Sequence, residues 1–181
     1  MNNTPYQPPG VPPGTPPGMP PFQSFAPGKN SLLVTGILLI VFNAIGFFTT
    51  ISTMATTDLW LWSFGGPAMR GTWMLIYTLN LLRSLFAVGV GIMAVTLCSR
   101  ADKGGILLAL GIVLLAATVI YSLVYNGFMI SFGTTAALGF IGIIGIPFSL
   151  VIPILFIIGA SKNKRAADAA AYSHHGQHRG Y

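Results

Sequence analysis

Charge is what this chain has least of. Asp, Glu, Lys and Arg make up 7% of its 181 residues, and only three residues are acidic, all of them aspartate. Soluble domains carry roughly 25% charged residues, so there is too little charge here to cover a water-facing surface. Cysteine occurs once, at Cys98, which excludes an internal disulfide and a cysteine zinc cluster. The three histidines, His174, His175 and His178, all fall near the C-terminus. The apolar body therefore has no Ser–His–Asp or Cys–His set and no HExxH, and it carries no P-loop or strand-associated GxGxxG. These absences exclude a soluble enzyme and a disordered polyelectrolyte. They predict a protein that is not an enzyme and holds no cofactor.

What is present is apolar. Hydrophobic residues make up 53% of the chain, and its mean hydropathy is +0.73. Residues 32–51 form an uncharged run, LLVTGILLIVFNAIGFFTTI. About 20 such residues cross the roughly 30 Å of bilayer hydrocarbon. Residues 72–98 form a second run interrupted only by Arg83, residues 106–125 a third, and residues 136–160 a fourth. Their lengths favour helices over the alternating ten-residue strands of a barrel. The pattern predicts an all-α integral membrane protein, a four-transmembrane-helix bundle over residues 31–161. Ser31 and Thr135 are candidate N-caps.

Ahead of the bundle, residues 1–30 hold ten of the thirteen prolines and repeat PPGV, PPGT, PPGM, PPFQ from Pro8. A four-residue period is not collagen's three, and the proline density blocks helix. The composition predicts a disordered Pro/Gly-rich arm with polyproline II character. Its PxxP spacings fit aromatic-lined grooves, although no basic residue flanks them to fix an orientation. The arm has neither the basic start nor the apolar stretch of a secretory signal, so the first run is expected to stay as an anchor.

Lys and Arg collect on the cytoplasmic side of membrane proteins. Four spans put both tails on one side, with Lys29, Arg100, Lys103, Lys162, Lys164, Arg165 and Arg179; the other side has only Arg70. This asymmetry predicts N-in and C-in, in the plasma (cytoplasmic) membrane. The short connections predict that helices two and three, and three and four, pack as antiparallel hairpins. The outer loop, residues 52–71, carries Asp58, Trp60, Trp62 and Phe64. It reads as a short capped helix or an extended stretch, lying on the outer leaflet as a structural lid or a binding loop.

Arg83 asks for a physical explanation, because an Arg at mid-membrane costs roughly 2.5–3.5 kcal/mol on insertion scales. It lies about 22 Å along the helix from Cys98, near enough to the outer boundary to snorkel. On its face, Asn80, Ser84, Ala87, Gly91, Ala94 and Cys98 follow helical spacing, a stripe of small and polar residues suited to helix contact. Candidate partners are Asp58, Asn43, Asn80, backbone carbonyls, a lipid phosphate or a second subunit. The fourth run carries Gly139, Gly142 and Gly145 and then Pro147 and Pro153, which suit close packing or a kinked gate.

Cys98 reads as a small packing residue at the membrane edge, a position that also permits palmitoylation. The tail, residues 162–181, opens with Lys162-Asn-Lys-Arg165, placed to meet anionic inner-leaflet lipid. His174, His175 and His178 are weak metal candidates, because a floppy tail offers no second shell. Scattered basic residues predict no nucleic-acid partner. The expected role is a scaffold, interaction or regulatory protein presenting its tails to partners or lipid, with homo-oligomers possible through small-residue faces. The alternative is a channel or transporter subunit using Arg83, Asn80, Asn43 and the 147–153 segment.

Overall fold

A computed structural model describes residues 26–64, 69–131 and 136–177; the side chains of 58, 60–64, 131, 136–148 and 173–177 lie outside that description. The described residues form four α-helices and no strand: α1 (Lys29–Phe64), α2 (Arg70–Leu97), α3 (Gly104–Ser131) and α4 (Ala136–Gln177). A 3-10 turn over Ala101–Lys103 joins α2 to α3. Three stretches, Lys29–Thr57, Arg70–Leu97 and Ala101–Ile130, are long and apolar enough to cross a membrane. The chain is membrane-embedded by that measure. The surface agrees: Phe42, Phe48, Leu82, Leu85, Ile120 and Leu123 are each more than half exposed. Rows of exposed apolar side chains suit contact with bilayer hydrocarbon.

Each helix turns a stripe at 3–4-residue spacing to its neighbours. Leu32, Thr35, Gly36, Leu39, Thr50 and Thr57 are buried on α1. On α2 the buried positions include Ser84, Ala87, Gly91 and Ala94. Gly104, Leu107, Gly111, Leu114 and Thr118 serve α3, and Pro153, Phe156, Gly159, Ala160 and Asn163 serve α4. Buried threonines are tolerated because each hydroxyl donates to a carbonyl one turn back, as Thr50 to Gly46 at 2.7 Å and Thr118 to Leu114 at 2.9 Å.

Glycines decide which helices approach closely. A Cβ on Gly91 would meet the Gly36 carbonyl oxygen at 2.8 Å, so α1 and α2 cross nearly backbone to backbone. A Cβ on Gly111 would stand 2.8 Å from the Phe156 ring, which sets α3 against α4. The pairs α1–α2 and α3–α4 are accordingly the extensive interfaces, α1 packs on α4, and α2–α3 is thinner. The expected α3–α4 hairpin packs extensively, and the expected α2–α3 hairpin is present but thin. Facing each other there are Leu79, Leu82 and Phe86 against Val113 and Ile120, with no glycine to admit close approach, and a groove is left between them.

Three boundaries also differ. α1 runs on to Phe64, so most of the stretch expected as the 52–71 outer loop is helix, Asp58 included. No proline or glycine interrupts the chain between Gly46 and Gly65, so nothing stops the helix at Ile51. α4 runs through Pro147 and Pro153 to Gln177, which makes the first part of the expected floppy tail helical. The alanine-rich sequence 166–171 favours this. Ser31 lies inside α1 and is not its N-cap; its hydroxyl donates across to the Leu155 carbonyl at 3.3 Å. Thr135 and the Pro/Gly repeats lie outside the described residues.

Candidate functional site

Two polar constellations stand out, one toward each end of the bundle. The first is a chain through Arg83. Thr50 on α1 accepts a hydrogen bond from the Asn80 amide Nδ2 on α2 at 2.8 Å. Asn80 Oδ1 accepts from Arg83 Nη2 at 3.2 Å and from Nε at 3.4 Å. The Arg83 guanidinium lies over the Tyr121 ring of α3, 5.3 Å from its centroid, within cation–π range. Three helices are thus linked by one polar path. Because Asn80 precedes Arg83 by three residues, the arginine leans toward the N-terminal end of α2, as helical side chains do.

Arg83 sits where the buried stripe of α2 meets the groove. The groove has a volume of about 420 Å³, and Leu79, Leu82, Phe86, Val113, Ala117 and Ile120 line it along with Arg83 and Tyr121. It opens sideways: Leu82 and Ile120 on its rim are 60% and 62% exposed. Beyond it toward the N-terminal end of α2, Trp73 stacks on Tyr77 and meets Phe128 edge-on at 5.1 Å. Tyr121 stacks on Tyr125 at 6.0 Å. These amphipathic rings mark the interfacial level.

The other sequence candidates fall elsewhere. Asn43 donates to the Leu39 carbonyl of its own helix at 2.9 Å and does not join Arg83. Asp58, Trp60 and Trp62 lie on the last turns of α1, with side chains outside the described residues. The expected Asp58–Arg83 contact rests on the Asp58 side chain, which lies outside the described residues. His174 and His175 lie on the last turn of α4, their side chains outside the described residues, and His178 lies outside them altogether. No group of three potential metal ligands occurs among the described residues.

The second constellation was not read from the sequence. Asn163 on α4 is completely buried. Its Oδ1 accepts from the Gly28 backbone N–H at 2.7 Å, and its Nδ2 donates to the Cys98 carbonyl at 3.1 Å. Gly28 packs on the Gly159 carbonyl, and Gly104, which opens α3, lies against the Asn163 and Lys164 backbone. One amide therefore joins the entry to α1, the exit of α2 and α4, with the start of α3 alongside. The spacing Phe156, Gly159, Ala160, Asn163 carried the signal, hidden because the surrounding Lys162 and Lys164 made the segment look like a solvated basic tail. Cys98 is buried at this junction, its thiol donating to the Val95 carbonyl at 3.2 Å.

Comparison with protein-family models, with curated proteins and with solved structures finds no match. The functional reading rests on this geometry and sequence.

Proposed function

We propose that the chain is a four-span membrane protein with both termini in the cytoplasm, which acts as a scaffold or regulator by presenting those termini to partners or inner-leaflet lipid and not by catalysis. The Asn163 junction carries the reading. It brings the entry to α1, where the Pro/Gly arm joins, to the point where α4 leaves the bundle. Lys29, Arg100, Lys103, Lys162, Lys164 and Arg165 all lie at or next to this end, in keeping with a cytoplasmic face. From Ala136 to Asn163, α4 rises about 40 Å, long enough for a fourth crossing even when tilted. Beyond Asn163 the helix extends another 14 residues, a basic-then-alanine arm of about 21 Å.

Capture from mild detergent tests the reading, comparing the full chain with one lacking residues 1–25 and one ending at Asp168. The first truncation stops short of Gly28 so that the junction keeps its donor. Loss of specific partners with either truncation is the expected result, whereas anionic-vesicle binding should survive both and fall when Lys162, Lys164 and Arg165, which both truncations retain, are changed to Gln. An identical partner profile for all three chains, together with vesicle binding that does not respond to the loss of those charges, would discard the proposal.

A further inference from the structure

We propose that the groove between α2 and α3 is a binding site for an anionic phospholipid, one acyl chain lying against Leu79–Phe86 and the phosphate held by Arg83. The leaflet concerned is the one opposite the Asn163 junction. The proposal depends on membrane embedding and is independent of what the termini present.

The groove walls are almost wholly apolar, and the rim residues Leu82 and Ile120 face the bilayer, so lipid is what the groove meets. The wall contains one fixed charge. Both described hydrogen bonds of Arg83 go to a single neutral oxygen, Asn80 Oδ1, and its second neighbour is the neutral Tyr121 ring. A guanidinium has five N–H donors in a planar fork, so capacity remains for a second acceptor. These neighbours orient the charge without cancelling it.

The described residues offer Arg83 little else. Asp102 lies 3.5 Å from Lys103 and Asp168 lies 3.9 Å from Lys164, both toward the far end of the bundle. No carboxylate is among the described contacts of Arg83. An anionic headgroup supplies what is missing: its phosphate meets the planar fork in a bidentate, charge-assisted pair, and it lacks the choline cation that opposes the guanidinium in phosphatidylcholine. The position suits that chemistry, since Arg83 leans toward the interfacial ring of Trp73, Tyr77 and Tyr125. A second copy of this chain fits less well. A two-fold interface across the groove would place one Arg83 near the other, and like charges repel strongly where the dielectric is low.

The test is native mass spectrometry of the full-length chain, released from an uncharged detergent and titrated with phosphatidylglycerol or phosphatidylcholine of identical acyl chains. The wild-type chain is expected to hold one phosphatidylglycerol roughly tenfold more tightly than phosphatidylcholine. Arg83→Gln should abolish that preference, Arg83→Lys should keep part of it, and Ala117→Phe, which fills the groove, should lower retention of both lipids. The triple variant Lys162→Gln, Lys164→Gln, Arg165→Gln should keep the preference, which separates the groove from the basic face. Circular dichroism checks the fold of each variant. Should Arg83→Gln fail to fold, Ala117→Phe decides alone, and unchanged phosphatidylglycerol retention overturns the site. Equal retention of the two lipids by wild type, a preference surviving Arg83→Gln, or its loss in the triple variant would also overturn it. So would a dimer, or an acidic partner, crosslinked through a cysteine placed at Leu82.

Discussion

Asn163 and Gly28 stand 135 positions apart in the chain and meet through a 2.7 Å hydrogen bond. The entry to a helix leaves backbone N–H groups without intrahelical partners, and the exit leaves carbonyls in the same state. Asn carries both an acceptor and donors on one short side chain. At this position it satisfies a donor before α1 and, through its other atom, the Cys98 carbonyl after α2. A carboxylate or an ammonium at 163 could serve only one of the two.

Asn163→Ala is expected to leave both backbone groups buried and unpaired. Each such orphan costs about 1–3 kcal/mol, so the melting temperature in detergent should fall clearly. Asn163→Asp retains the acceptor for Gly28 but sets a carboxylate oxygen against the Cys98 carbonyl, and it should be at least as destabilised. Wild-type melting of both variants would show that the junction contributes nothing to the fold.

Two glycines on α2, two positions apart, should respond in opposite directions. Gly91 faces the Gly36 backbone, and an added Cβ would stand 2.8 Å from a carbonyl oxygen. Gly91→Val should separate α1 from α2 and cost about 1–3 kcal/mol as overpacking. At Gly89 an added Cβ meets nothing within 4 Å. Gly89→Ala should therefore gain up to about 1 kcal/mol of helix propensity. Thermal melts of the purified proteins compare the two directly, and equal effects would refute the close crossing.

How much of this was legible in the sequence depends on range. The helices were readable because a run such as residues 106–125 must satisfy its own backbone in lipid, whatever its neighbours do. The stripe Ser84, Ala87, Gly91, Ala94 was readable because helical spacing is local. The end of α1 was misplaced because a charged residue at Asp58 and two tryptophans look like loop, yet nothing in 52–64 breaks a helix. Connection length gave the α2–α3 and α3–α4 pairs but neither how closely each packs nor the extensive α1–α2 interface. Gly36 against Gly91 outweighs a short turn between α2 and α3. The burial of Asn163 had a local signal, its spacing from Phe156, Gly159 and Ala160, masked by the flanking lysines; its two partners, 135 and 65 residues away, leave no trace in local pattern.

Ser84 carries the one buried side-chain oxygen without a hydrogen-bond partner among the described residues. It faces the Gly46 region of α1, where an added Cβ would stand 3.9 Å from its oxygen. Removing an orphaned polar atom of nearly unchanged shape recovers its desolvation cost. Ser84→Ala is expected to raise stability by about 1 kcal/mol or more. A lower melting temperature instead would reveal a partner for the hydroxyl, such as a bound water.

Orientation has a direct chemical test, but the native thiol is the wrong probe for it. Cys98 is buried at the Asn163 junction and its sulfur is engaged with the Val95 carbonyl. It should resist maleimide from either side of the membrane. Cys98→Ala removes the thiol and keeps the backbone carbonyl that Asn163 needs. On that background Thr72→Cys and Ser99→Cys place exposed thiols at opposite ends of α2. With the termini in the cytoplasm, an impermeant maleimide should label position 72 in intact cells. Position 99 should then react only after permeabilisation. The reverse pattern would invert the protein in its membrane and move the basic face and the end of α4 to the outside.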